Sequence, residues 1–481
     1  MPTEKTDRPA ARRTDPPAPA EGGIPIRLKK TRIILSVLLS AGLAGAYLFW
    51  RLTTPEQLHP VQRACSLISL LLFAGMLLRL LPGWLEALFP DRRMVPAASV
   101  PAADGAAERP RYARTKVLLL FLGTLAFHLA LVCVLRLAAG MDTHPANTLR
   151  VWNSLDSRHY LNIAAEWYTH AEGTGEILEL VFFPGYPVLV GLISLAVPDL
   201  LLSGFLASWL PFLAAGPVLY ELLRLDYDHR KTMRILWLFC LSPAVVFFSY
   251  PMSESLFVLC CAACLYLTRK RQWFGAGVCG MLAVLTRSAG ILLLLPLGME
   301  LAADVLGDPS RRRRLHTRLP AAACLLLLPL GLLLYLHINR TMGGDPFRFL
   351  QYQKSNWHQQ LTWFFHTASV QAGKARETWL SGSDRFRGLW MPNLVVGYAS
   401  LLIMLVSGKK LRPSAGFWFA GYFAFSYGTT WLLSGPRYMA VFFPLAAAAD
   451  ELPLPKWVTP AVFAAGSLYY TLCFALRWGV W

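Results

Sequence analysis

Apolar runs of roughly 20 residues, the length that crosses a bilayer, alternate with short polar or basic breaks along most of the chain. They cover Ile33 to Trp50, about Ala64 to Leu81 and Lys116 to Gly140. They continue over 184–198, 200–223, 232–249, 254–268, 273–303 (long enough for two short helices), 319–338, 389–407, 413–432, 436–450 and 457–477. Lipid gives backbone N–H and C=O groups no partner, so segments of this kind are helices. The pattern predicts an all-α polytopic membrane protein with about 13 membrane segments. Two long polar islands interrupt it, Trp152 to Pro187 and Met342 to Arg387.

Composition agrees: 55% of the residues are hydrophobic and 15% charged, unlike an ordinary soluble protein. The net charge of +18 would suit a nucleic-acid partner if it formed one patch. It is instead split into clusters between apolar runs, such as Arg311-Arg312-Arg313-Arg314 and Lys409-Lys410-Leu411-Arg412. Cytoplasmic loops carry such clusters under the positive-inside bias, and no nucleic-acid motif accompanies them. Residues 1–30, rich in Pro, Ala and charge, read as a disordered cytoplasmic tail. Residues 31–115 read as two N-terminal transmembrane helices, the first a signal anchor, and a basic cytoplasmic loop over 90–115. Residues 116–481 then form the main transmembrane domain, with both polar islands outside. One conflict stands. The basic loop Arg224–Arg234 belongs on the cytoplasmic side, yet two apolar runs separate it from the first island. Either the short 184–198 run is re-entrant or the loop breaks the charge rule. The nine cysteines all fall within apolar runs and read as small packing residues, with no disulfide framework.

The first island carries the densest chemistry. In Trp152-Asn153-Ser154-Leu155-Asp156-Ser157-Arg158-His159-Tyr160, a helix would put Asp156, His159 and Tyr160 on one face. Trp152, Leu155, Ile163 and Trp167 would make an adjoining apolar stripe, as suits an interfacial helix. The plainer reading is an interfacial connector. Three further charges sit in apolar flanks: Glu254, Arg287 and Arg437. A charge at the bilayer centre costs about 2.5–3.5 kcal/mol on insertion scales, so such residues face a cavity or a partner unless they snorkel from helix ends. Arginine forks match phosphate oxygens, and Asp156 has the chemistry of a general base for displacement at a sugar carbon. Walker, glycine-rich nucleotide and HExxH zinc motifs are absent.

In order along the chain these pieces resemble the PIG-V-like mannosyltransferases, a branch of the GT-C membrane glycosyltransferases. Trp152 to Tyr160 looks like the family's first-loop motif, with Asn153-Ser154-Leu155 inserted between Trp and Asp. Phe182-Phe183-Pro184-Gly185-Tyr186-Pro187 resembles its Phe-Phe-Pro-x-x-Pro. The longest match runs from Leu241-Ser242-Pro243-Ala244 through Phe247-Phe248-Ser249-Tyr250 to Ser253-Glu254-Ser255-Leu256-Phe257. Thr286-Arg287-Ser288-Ala289-Gly290 follows, with Ala289 where the family usually has Asn. Asp345-Pro346 with Phe349, Gln353 and Trp357, then Pro436-Arg437-Tyr438, complete the series. The two spans before Lys116 depart from the family pattern and read as a docking or regulatory addition.

The resemblance implies a GT-C-like bundle whose extracytoplasmic loops carry interfacial helices. It implies inverting transfer of a sugar, classically mannose, from a polyprenyl-phosphate-linked donor to a lipid or glycan acceptor outside the membrane. Asp156 would be the general base, with Glu166 in reserve. Arg158, His159, Tyr160, Glu254, Arg287, Gln353, Trp357, Arg437 and Tyr438 would bind substrate, Arg287 and Arg437 at the donor phosphate. Some relatives need a divalent ion (Mg or Mn), for which Asp156 with Glu166 or Glu254 would supply the oxygen ligands. The eukaryotic relatives act on a GPI precursor, whereas the Arg-rich chain with extra spans looks more like a bacterial plasma-membrane member. The alternative class is a transporter or flippase of a lipid-linked saccharide, which predicts charges along a central path and internal repeats. No convincing repeat is present.

Overall fold

The computed structural model describes residues 26–54, 57–89, 110–141, 151–169, 175–306 and 319–480. Residues 1–25 of the expected 1–30 tail, most of the basic 90–115 loop and the Arg311–Arg314 cluster lie outside these residues, whereas 26–30 are helical. Among the described residues the chain is helical, with one isolated antiparallel bridge between Leu361 and Thr429. Chain order gives α1 (Ile26–Thr53), α2 (Pro60–Leu88), α3 (Pro110–Ala138), α4 (Asp156–Glu166), α5 (Gly185–Ser194), α6 (Leu200–Leu223) and α7 (His229–Cys240). Then come α8 (Glu254–Arg269), α9 (Trp273–Thr286), α10 (Leu294–Leu306), α11 (Leu319–Leu325), α12 (Leu327–Gly343) and α13 (Arg348–Trp357). The series ends with α14 (Phe364–Leu380), α15 (Met391–Ser407), α16 (Pro413–Ser426), α17 (Gly435–Ala440), α18 (Pro444–Asp450) and α19 (Val458–Ala475).

Among the described residues eight helical segments are long and apolar enough to cross a membrane: those containing α1, α2, α3, α6, α10, α11–α12, α15 and α19. The chain is an α-helical polytopic membrane protein. Shorter helices share the interior because prolines cut them. Pro243 and Pro251 bracket the irregular passage between α7 and α8, which holds only a 3-10 turn over Val245–Ser249.

Ion pairs mark one end of the bundle. Arg114 meets Glu221 at 2.7 Å, Arg269 meets Asp226 at 2.6 Å, and Arg234 meets Asp450 at 3.0 Å. Arg271 pairs with Asp304 at 2.6 Å, and Arg412 with Glu300 at 2.5 Å. Asp226 lies within 4.0 Å of Arg412 and Lys231 pairs with Glu451, so the loops after α6, α8, α15 and α18 share this end with α10. Asp228 caps α7 there, accepting from the Lys231 N–H at 2.7 Å. The first polar island lies at the opposite end.

This arrangement resolves the conflict over the Arg224–Arg234 loop. Helix α5 has 10 residues, about 15 Å at 1.5 Å per residue, half the bilayer's hydrocarbon thickness of roughly 30 Å. It begins at Pro184-Gly185, ends before Pro198-Asp199, and α6 alone returns the chain to the ion-paired end.

Helix α2 is built into the bundle. Phe73 lies 4.5 Å from Phe364 of α14 and 6.0 Å from Phe423 of α16, ring centre to ring centre. Tyr398 of α15 donates to the Cys65 carbonyl at 2.9 Å. Helix α1 is largely exposed and is tied at one end, where Trp50 Nε1 donates to His366 Nδ1 at 2.8 Å.

Candidate active site

The island's helix starts at Asp156, one turn later than the sequence pattern suggested. Trp152 and Leu155 therefore precede α4 instead of lying along its apolar face. Trp152 is fully buried among Phe205, Tyr250 and Phe474 and anchors the approach. Tyr250 donates to the Val151 and Ser154 carbonyls, both at 3.0 Å, and shares a 2.6 Å contact with the Ser154 hydroxyl. Leu155 then takes φ +54° and ψ −137°, a conformation that costs a non-glycine residue about 1–3 kcal/mol. This anchored bend sets the direction of Asp156 at the helix's first turn.

Three broken elements converge there. Glu254 opens α8, a helix of 16 residues, and Arg287 follows α9, a helix of 14 residues. Those lengths, about 24 Å and 21 Å, carry the two charges from the ion-paired end to the level of α4. An anion at a helix N-terminus and a cation at a C-terminus both complement the helix dipole. Arg287 contacts the Glu254 carboxylate and donates to Ser253 Oγ at 3.2 Å, and Tyr160 OH meets that oxygen at 3.0 Å. Arg437, on α17, sends Nε to Glu254 and Nη1 to Asp156 Oδ2 at 2.7 Å. Asp156, Arg437, Glu254 and Arg287 thus form one chain of alternating charge. Its outer end is the best exposed: side-chain exposure is 29% at Asp156, against 4% at Arg437 and 1% at Glu254. The second oxygen of Glu254 is buried without a hydrogen-bond partner.

Asp156 lines a cavity of about 430 Å³. Arg158, His159, Gln353, Trp357 and Tyr438 share its wall with Asn153, Ser154, Phe182, Gln359 and Ser434. Of the residues singled out from sequence, Asp156, Arg158, His159, Gln353, Trp357 and Tyr438 thus meet around one space. Tyr160, Glu254, Arg287 and Arg437 stand behind it and are not part of the wall. Glu166, the reserve base, is exposed at the far end of α4 and outside the cavity.

The proline-rich motif holds the wall from below. Phe182 stacks on His159 at 4.8 Å, and Phe183 stacks on Tyr335 at 3.8 Å. Tyr186 donates to the Gly204 carbonyl at 2.7 Å. At Gly185 a Cβ would come within 2.9 Å of the Leu285 carbonyl oxygen, so glycine permits α5 to abut the end of α9.

Sequence reasoning missed Glu179. It lies in the 3-10 turn Leu178–Val181, is 1% exposed, and faces His159 Nδ1 at 3.4 Å. Burial alone would raise its carboxyl. Hydrogen bonds from His159, the backbone and Asn162, together with the attraction of His159, more than offset this and hold it below the ordinary carboxylate value. Its one sequence signal is an acidic residue directly before the apolar run Leu180 to Phe183.

The residues do not fit a divalent cation. Asp156 and Glu254 are each engaged by arginine, Glu166 lies apart, and among the described residues no three His, Cys, Asp or Glu side chains converge as ligands.

Comparison with known proteins bears on the same elements. Residues 124–335 match the mannosyltransferase (PIG-V) family. Over this stretch the chain is similar to the PIG-V mannosyltransferases. The matched stretch holds Asp156, Arg158, His159, Tyr160, Glu179, Glu254 and Arg287, while Gln353, Trp357, Arg437 and Tyr438 lie beyond it. The GPI mannosyltransferase 2 of Drosophila pseudoobscura pseudoobscura is 31% identical over 161 residues, 30% of this chain and 34% of the relative. The match therefore spans about a third of that curated relative's length. No solved structure gives a significant match.

Proposed function

We propose that this protein is a membrane glycosyltransferase that moves mannose from a polyprenyl-phosphate-linked donor to a lipid or glycan acceptor. The observation that carries the reading is Asp156, held through Oδ2 by buried Arg437 at the wall of a polar cavity. Oδ1 has no partner among the described residues and is the acceptor of the incoming hydroxyl's proton. The acceptor oxygen bonds to the sugar C1 as the C1–O bond to the phosphate breaks on the opposite face, inverting that carbon. The proton goes to Asp156 and the electron pair to the departing phosphate oxygen. Phe182 and Trp357 offer apolar faces to the sugar ring, and the Gln353, Gln359 and Asn153 amides suit its hydroxyls.

The positive-inside bias supports the sidedness. With Lys409, Lys410, Arg412 and the Arg224–Arg234 loop at the cytoplasmic end, the cavity opens extracytoplasmically.

The test is transfer in liposomes, with polyprenyl-phosphate-mannose and a nucleotide-linked mannose offered in parallel to a membrane-lipid extract. Product from the lipid-linked donor alone is expected. Product from the nucleotide sugar alone overturns the donor class, and product from neither lifts the flippase reading above it.

A further inference from the structure

The buried quartet has no charge to spare. Asp156 and Glu254 balance Arg287 and Arg437, and both guanidiniums are already engaged by carboxylates. A phosphodiester entering the cavity brings one negative charge that this set leaves uncompensated. The cavity wall carries two basic side chains of its own, Arg158 and His159, adjacent on α4. Arg158 is exposed and makes no ion pair among the described residues. His159 directs Nδ1 to Glu179 and leaves Nε2 without a partner among the described residues. Glu179 is almost completely buried, its Oε2 has no hydrogen-bond partner among the described residues, and His159 is the basic group that faces its carboxylate. A carboxylate on one ring nitrogen fixes the ring's orientation and stabilises the imidazolium.

We propose that Arg158 and an imidazolium at His159, held by the buried carboxylate of Glu179, form the subsite for the donor's phosphate, with Glu179 as its positioning residue. This rests on the lipid-phosphate donor reading above and relocates the phosphate from Arg287 and Arg437, whose task becomes holding Asp156. The charges then close: His159 balances Glu179, and Arg158 balances the phosphodiester. As the C1–O bond breaks, the new charge on the phosphate oxygen faces the His159 proton donor, while Asp156 takes the acceptor's proton. The other charged groups near His159 are few. Asp156 lies one turn earlier on α4, and helix α5 carries no charge. Helix α13 contributes Arg348, which is bound to the Gly343 carbonyl and Gln351, and the exposed Lys354.

Equilibrium binding of radiolabelled polyprenyl-phosphate-mannose to the full-length protein in detergent, without acceptor, tests this. Glu179→Gln removes the partner that holds the His159 ring and is expected to weaken donor binding several-fold, while Arg158→Gln weakens it about tenfold. Binding of an uncharged alkyl mannoside should be unchanged in both.

Equal donor affinities in wild type and Glu179→Gln overturn the proposal. So does an equal loss of donor and alkyl mannoside, which marks a structural role. Where Glu179→Gln does not fold, Arg158→Gln and His159→Asn decide, and donor affinity unchanged in both sinks the subsite. A wild type that binds no lipid-phosphate sugar overturns the donor reading and the subsite together. Variants that match a binding, transferring wild type overturn the subsite alone.

Discussion

The Arg437 guanidinium donates to carboxylates on two elements, Asp156 at the start of α4 and Glu254 at the start of α8. Removing it leaves Asp156 unguided and a buried carboxylate with one cation in place of two. Breaking a buried ion pair costs about 3–5 kcal/mol, so Arg437→Met should lower the thermal unfolding midpoint in detergent. Arg437→Lys should rescue only part of that loss, because an ammonium lacks the planar fork that reaches both carboxylates. Unfolding midpoints unchanged from wild type in both variants would contradict the network. The individual charges were legible in the sequence because they sit in apolar flanks where a lone charge is expensive. Their pairing was not, since Glu254 and Arg437 are 183 positions apart and periodicity says nothing at that range. Glu179 was illegible for a related reason: one acidic residue in a polar loop looks solvated until the fold buries it.

Two elements decide whether that network forms. The turn Ser288–Leu293 folds back on α9 so tightly that a Cβ at Gly290 would lie 2.5 Å from the Ala283 carbonyl carbon. Gly290→Ala should displace Arg287 and reduce the yield of folded protein on size-exclusion chromatography, and a wild-type profile would show that the turn has slack. At the N-terminus, α2 packs along α14, α15 and α16 whereas α1 is tied mainly through Trp50. Trp50→Phe, which keeps an aromatic ring but loses the donor to His366, should cost about 1 kcal/mol, read as a small drop in unfolding midpoint. A drop as large as that of Arg437→Met would show α1 to be as integral as α2. Apolar periodicity located these helices well but not their breaks. It extended the first island's helix back to Trp152, where the chain instead turns at Leu155 because Tyr250 captures the Val151 and Ser154 carbonyls.

For the molecule as a whole, the short α5 and the shared ion-paired end give the chain a consistent sidedness that apolar run lengths alone left open. Single cysteines added to a background lacking the nine native ones should react with an impermeant maleimide from outside at Ser355 on α13 and from inside at Lys409. The reverse pattern would invert the membrane orientation. The catalytic assignment meets its most direct test in Asp156→Asn, which preserves shape and removes the base. Its transfer rate from polyprenyl-phosphate-mannose should fall by roughly 10²–10⁴-fold, while equilibrium donor binding stays within a few-fold of wild type. Transfer by folded Asp156→Asn at the wild-type rate would contradict the account and move the base elsewhere on the cavity wall.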